Sequence, residues 1–240
     1  MSNIKIEEAL EDIFSESSES YSINVNLPSK GKGYLGTKSS IKIRAMTYED
    51  EKYIATYSGN HLLDELLKRC STDMDLDELY LEDKLFLYYK IREASFGPLF
   101  KMDADCISCG FINNLEIDLS QLNVEYADDT FSDPIELELP VLKKKVKVTK
   151  MRSHLQDYSL NDSELLDNLW RFVQKIDTYD DPILISQVIK KLSSRDIRTL
   201  MSHINKKHFG LDTRAKFVCN KCRKENLANI GLSFDFFTQS

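Results

Sequence analysis

Two C-x-x-C pairs, Cys106/Cys109 and Cys219/Cys222, lie 113 residues apart, and the same offset runs through the sequence around them. Across residues 83–119 and 196–232, ten of 37 positions are identical, among them Asp83/Asp196, Leu87/Leu200, Gly97/Gly210 and Asn113/Asn226. Self-similarity at one fixed offset restricts the fold to a pair of like units more strongly than any local pattern does. The match continues upstream at other spacings. Residues 23–28 (INVNLP) and 135–140 (IELELP) alternate apolar and polar and stop at Leu-Pro, as a strand ended by proline does. Residues 41–46 (IKIRAM) and 146–151 (VKVTKM) alternate again, and the glycines of SKGKGYLG suit a long hairpin loop in the first link.

Helical patterns follow in each half. Leu62, Leu63, Leu66 and Leu67 make one apolar face, and Leu165, Leu166, Leu169 and Trp170 make its counterpart. A second helix ends at Phe96-Gly97 in the first half. The matching Phe209-Gly210 predicts a glycine cap in the other, with Lys206, Lys207 and His208 in the last turn. The expected fold is therefore α+β: two tandem copies of a β-hairpin, helical and zinc-knuckle unit, over residues 22–126 and 127–240. An acidic tail, residues 1–21, precedes them. Ile6, Leu10, Ile13 and Phe14 in that tail fall on one face of a short helix, which reads either as a frayed terminus or as a segment for a partner's groove.

One C-x-x-C turns two sulfurs toward one ion and leaves half a tetrahedron empty; two pairs complete a four-cysteine site. Cys106, Cys109, Cys219 and Cys222 are thus the candidate metal ligands, a split zinc-ribbon-like site where the halves meet. Four protein ligands leave no open position for water, so the Zn2+ is expected to be structural. Redox use fits less well, because that motif opens a helix after a strand. Iron–sulfur binding lacks its clustered spacing. Reduced cysteines without metal are the plain alternative. Cys70 has no counterpart and reads as a buried small residue.

No apolar run reaches membrane-spanning length, and the N-terminus lacks a signal-peptide pattern. The cytosol that this predicts keeps thiols reduced, which favours ligands over disulfides. The net charge is −7, and residues 1–20 supply six acids against Lys5. That acidity argues against nucleic acid as the main partner. The basic run Lys143, Lys144, Lys145, Lys147, Lys150 and Arg152 supports a rival reading, a zinc-ribbon nucleic-acid-binding regulator. Its plainer reading is the solvated face of a strand, since Lys145 and Lys147 alternate with Val146 and Val148. None of His61, His154, His203 and His208 stands at ligand spacing to another ligand-type residue. Asp64, Glu65, Glu78 and Glu82 form no paired acid–base arrangement. No phosphate loop or nucleophile elbow occurs, so no enzymatic activity is expected.

Several segments together resemble the baseplate hub assembly proteins of T-even-like tailed bacteriophages. They are Leu27-Pro28-Ser29-Lys30-Gly31; Ile43-Arg44 with Met46-Thr47; Leu79, Asp83 and Arg92; and Cys106 with Cys109. The match is best over residues 23–120 and weaker over the second half. It implies a non-enzymatic assembly factor, a chaperone or minor subunit, acting in the host cytoplasm or in the virion baseplate. Its implied partners are phage tail baseplate hub proteins. The family has no catalytic signature to carry over.

Overall fold

In the computed structural model, the described residues are Ala9, Ile13 and residues 22–34, 38–57, 62–72, 75–158, 162–233 and 235–238. Most of the acidic tail, with its expected short helix, lies outside them. The chain opens with strands β1 (Ser22–Asn26) and β2 (Ser40–Arg44), then helices α1 (Tyr48–Thr56) and α2 (Leu62–Cys70), then the short β3 (Ser71–Thr72). Helix α3 (Leu81–Phe96) leads into a hairpin, β4 (Leu99–Asp105) and β5 (Ile112–Asp118), followed by β6 (Val124–Glu125). The second half begins with β7 (Ile135–Glu138) and β8 (Lys145–Val148). It continues through α4 (Asp162–Asp167), β9 (Val173–Ile176), α5 (Pro182–Ile189) and α6 (Ser194–Ile204). It ends with β10 (Gly210–Leu211) and a hairpin of β11 (Arg214–Val218) and β12 (Glu225–Asn229). Helix and sheet are mixed, as an α+β fold requires.

The strands form where the alternation lies. Val25, Ile41 and Ile43 point into one core, and Val146 and Val148 into another, with polar neighbours turned outward. Each set closes an antiparallel three-stranded sheet, in order β1-β2-β3 and β7-β8-β9. After each Leu-Pro the backbone turns back through a left-handed lysine, but the second turn is one residue longer. Lys30 N donates to Leu27 O, three residues back, and Lys143 N to Leu139 O, four residues back, each at 2.9 Å with φ of +56°. The matched aspartates then make the same contact. Asp83 Oδ1 accepts from Ser29 N at 3.0 Å, and Asp196 Oδ1 from Val141 N at 2.8 Å.

Helix α3 has no exposed residue: Phe86, Leu87, Tyr88, Tyr89 and Ile91 are buried in the larger core, and the charged Asp83, Lys84 and Arg92 are buried with partners. That core also takes Leu211, Ile230, Phe236 and Phe237 from the end of the chain. Tyr89 Oη donates to Ile230 O at 2.5 Å, and β10 pairs with β6, so the last segment returns to the first sheet's side. The second core draws only on residues of the second half, including Leu139, Phe172, Ile185 and Leu200.

Two local expectations are corrected. Gly97 (φ +81°) does cap α3, its N–H donating to Glu93 O at 2.9 Å. Phe209-Gly210, however, is not a helix end: α6 stops at Ile204 with Asn205 as its cap, and Gly210 pairs in β10. Lys206, Lys207 and His208 therefore lie past the helix. The Leu165–Trp170 helix is also broken, α4 ending at Asp167 and a 3-10 turn carrying Leu169–Phe172.

Candidate metal centre

The two hairpins β4–β5 and β11–β12 share one register. Lys101 lies opposite Glu116 and Asp105 opposite Ile112; 113 residues on, Arg214 lies opposite Asn229 and Val218 opposite Glu225. Each carries its cysteines in the connecting turn. Cys106 N donates to Phe111 O and Cys219 N to Lys224 O, both at 3.0 Å. Gly110 N donates to Cys106 O at 2.8 Å and Arg223 N to Cys219 O at 2.9 Å. The residue after the second cysteine is left-handed in both turns, Gly110 at φ +65° and Arg223 at +62°. These turns lift both sulfurs of each pair off the strand ends and onto one side.

The turns face each other across the halves. Cys106 Sγ lies 3.5 Å from Cys222 Sγ, and Cys109 Sγ lies 3.7 Å from Cys219 Sγ. All four sulfurs fall within 4.8 Å of one another. A disulfide needs about 2.05 Å, so these are separate thiols. A tetrahedron with Zn–S of about 2.3 Å has sulfur–sulfur edges of about 3.8 Å, close to the spacing found. Among the described residues no other group of three or more ligand-type side chains comes so near.

Two asparagines tie the turns together. Asn113 Oδ1 accepts from Asn220 N at 2.9 Å, and Asn226 Oδ1 accepts from Ile107 N at 3.1 Å. Their amides donate to Phe111 O at 2.9 Å and Lys224 O at 2.8 Å. Asn113 Nδ2 also approaches Cys219 Sγ at 3.8 Å. Such outer contacts orient ligands and tune their basicity. The sequence marks the cysteines as candidates, and the asparagines only as an identical pair in the 113-residue register.

The electrostatics suit a cation. The N–H of Cys222, helped by that of Lys221, pulls the Cys219 thiol down to about 6. Burial pushes Cys106 up, but the N–H groups of Ser108 and Cys109 outweigh it and leave this thiol below its ordinary value. Cys109 moves the other way. The Phe111 N–H favours its thiolate, yet burial and the sulfurs of Cys222, Cys106 and Cys219 push it up to about 12. Four sulfurs this close do not all ionise unless positive charge enters among them.

A family model of T4 bacteriophage base plate proteins matches residues 18–238. The chain belongs to that family. Membership gives it a role in the phage baseplate, in company with other baseplate components. No curated protein and no solved structure matches the chain.

The segments that carry the family resemblance are structural here. Ser29 and Asp83 meet as described, and Tyr34 Oη donates to Asp83 Oδ2 at 2.6 Å. Arg44 pairs with Asp50 at 2.6 Å, and Asp50 also accepts from Thr47 N at 2.8 Å. Arg92, 1% exposed, donates to Gly97 O and Leu99 O at 3.1 and 3.2 Å, bracing the entry to β4.

The basic run is not one exposed strip. Lys143, Lys144, Lys145 and Lys147 are exposed, with Lys144 paired to Asp177 and Lys145 to Glu136. Lys150 and Arg152 are buried and paired to Glu82 and Asp133, both at 2.9 Å. The continuous patch that the nucleic-acid reading needs is absent among the described residues. The acids behave likewise: Asp64 pairs with Lys84 at 2.6 Å and Glu78 with Arg152 at 3.2 Å. Cys70 is buried, and that burial pushes its thiol up to about 12. His203 and His208 have rings 6.4 Å apart, and His61 is outside the described residues.

Proposed function

We propose that the chain is a non-enzymatic assembly factor of the baseplate hub, a chaperone or minor subunit. Its two duplicated halves are clipped together by one structural Zn2+ on Cys106, Cys109, Cys219 and Cys222. The observation that carries this reading is the reciprocal knuckle geometry: four sulfurs within 4.8 Å, drawn equally from positions 113 residues apart. Duplication is further supported by the shared hairpin register and by the paired Asp83 and Asp196 contacts. The repeats at 22–126 and 127–240 are units of sequence likeness, and Leu211, Ile230, Phe236 and Phe237 of the second pack into the larger core. An assembly factor needs a rigid body with interaction surfaces, and a closed thiolate site supplies rigidity without an open position for chemistry.

Two measurements test this. Metal analysis of the purified protein gives one zinc per chain, and Cys219→Ser loses the metal and unfolds earlier. A metal-free parent that melts together with Cys219→Ser sinks the metal half. Affinity capture from infected cells recovers tail hub proteins, and mass spectrometry of finished particles then separates subunit (present) from chaperone (absent). Capture without any tail protein sinks the assembly half.

A further inference from the structure

The two knuckle hairpins share a backbone and oppose each other in charge. Residues 99–118 hold Lys101 against Asp103, Asp105, Glu116 and Asp118, a net of −3. The matched residues 212–231 hold Arg214, Lys216, Lys221, Arg223 and Lys224 against Asp212 and Glu225, a net of +3. At one matched position the sign inverts outright, Asp103 against Lys216, while Lys101 and Arg214 keep the same sign. Most of these charges are exposed, with Lys221, Arg223 and Lys224 in the knuckle turn between β11 and β12. Asp103, Asp105 and Glu116 are exposed on one hairpin, and Lys216, Lys221 and Lys224 on the other.

This complementarity is not consumed within the chain. Among the described residues no ion pair joins the two hairpins, and Lys216, Lys221, Arg223 and Lys224 enter none. The same faces expose apolar side chains beside the charges. Ile112 (57% exposed) lies opposite Asp105, and Leu227 (52%) lies opposite Lys216. Each hairpin is a two-stranded sheet, so among the described residues neither of its strands has a second β-neighbour.

We infer that the acidic β4–β5 face of one copy docks on the basic β11–β12 face of a second copy of this chain. The contact is heterologous, because the two faces are different surfaces of the same molecule, and it runs head to tail. Opposed exposed charges around a small apolar centre give a steered, salt-sensitive contact. An acidic and a basic hairpin of opposite net charge, carried on one scaffold, favour a second copy over an unrelated protein.

Sedimentation of the purified protein tests it. At about 0.01 M salt, where the screening length is about 30 Å, the mass rises with concentration from one chain to at least two; at about 1 M salt it returns to one. Asp103→Lys/Asp105→Lys stays at the mass of one chain, and so does Lys216→Glu/Lys224→Glu. An equimolar mixture of the two variants associates again. Metal content and thermal melting confirm that each variant folds, and Asp→Asn and Lys→Gln versions replace any that does not. A parent that remains a single chain at low salt overturns the proposal and leaves the faces to another partner. Association unaffected by salt or by the substitutions, or a mixture that stays dissociated, overturns it as well.

Discussion

Asn113 and Asn226 each hold the other half's knuckle, accepting from Asn220 N at 2.9 Å and from Ile107 N at 3.1 Å. Both side chains are buried, while their donors belong to exposed residues, so the bonds are partly sheltered from water. Asn226→Ala removes the acceptor of the Ile107 N–H, which water can then reach, and is expected to cost about 0.5–1.5 kcal/mol. It also loosens the cysteine turn, lowering metal affinity about 10- to 100-fold. Denaturant melts and chelator competition read the two effects separately. A variant matching the parent in both would show that the asparagines are bystanders.

Asp133 and Arg152 are bonded at 2.9 Å where the halves meet, and Tyr80 Oη and Thr149 Oγ1 also donate to Asp133 Oδ2, at 2.9 and 3.0 Å. The Asp133 side chain is fully buried and that of Arg152 is 8% exposed. Removing one partner strands the other charge, so Arg152→Met is expected to lose about 3–5 kcal/mol. Adding Asp133→Asn to Arg152→Met removes the stranded charge and recovers part of that loss. Equilibrium unfolding of the single and double variants decides it, and a double variant weaker than the sum of both single losses contradicts the assignment.

Asp83 is held up at about 6, chiefly because burial disfavours its charge, against the hydrogen bonds from Ser29 and Tyr34 that favour it. A carboxyl that binds its proton more tightly when folded stabilises the fold fully below about pH 4, its unfolded value, and loses that contribution as pH rises through 6. The Asp83→Asn variant cannot titrate. Its stability relative to the parent should therefore rise between pH 4 and 7, by an amount on the order of 3 kcal/mol. Taking the difference at each pH cancels acid release of metal, which both proteins share. A flat or falling difference would mean that Asp83 is ionised throughout.

The strands, the cysteine turns and the mixed fold were legible because alternation and spacing are local signals. What the sequence concealed is non-local. Lys150 and Arg152 continue a run of exposed bases, yet they find Glu82 and Asp133 from other segments and are buried. Phe209-Gly210 copies a helix cap letter for letter. Here Lys150 Nζ takes the carbonyl of Lys206 at 2.6 Å, α6 ends sooner, and the glycine enters a strand against Glu125. A Cβ added at Gly210, whose φ is +120°, would lie 2.9 Å from Glu82 Cβ, so the glycine answers a packing need and not a cap. The four-cysteine cluster was readable as residues, while its asparagine struts needed the register of two hairpins to become visible.

Gly110 and Arg223 occupy the same left-handed position in the two knuckles, at φ +65° and +62°. Glycine adopts that conformation without penalty, whereas a side chain costs about 1–2 kcal/mol there. A Cβ on Gly110 would meet nothing within 4 Å, so Gly110→Ala changes only the backbone preference and is expected to lose about 1 kcal/mol. Arg223→Gly relieves the strain and gains part of it back against the extra freedom of glycine in the unfolded chain, a net rise of about 0.5 kcal/mol. The two substitutions should therefore move the denaturation midpoint in opposite directions at matched metal content. Shifts of the same sign would mean that the knuckles do not share this backbone.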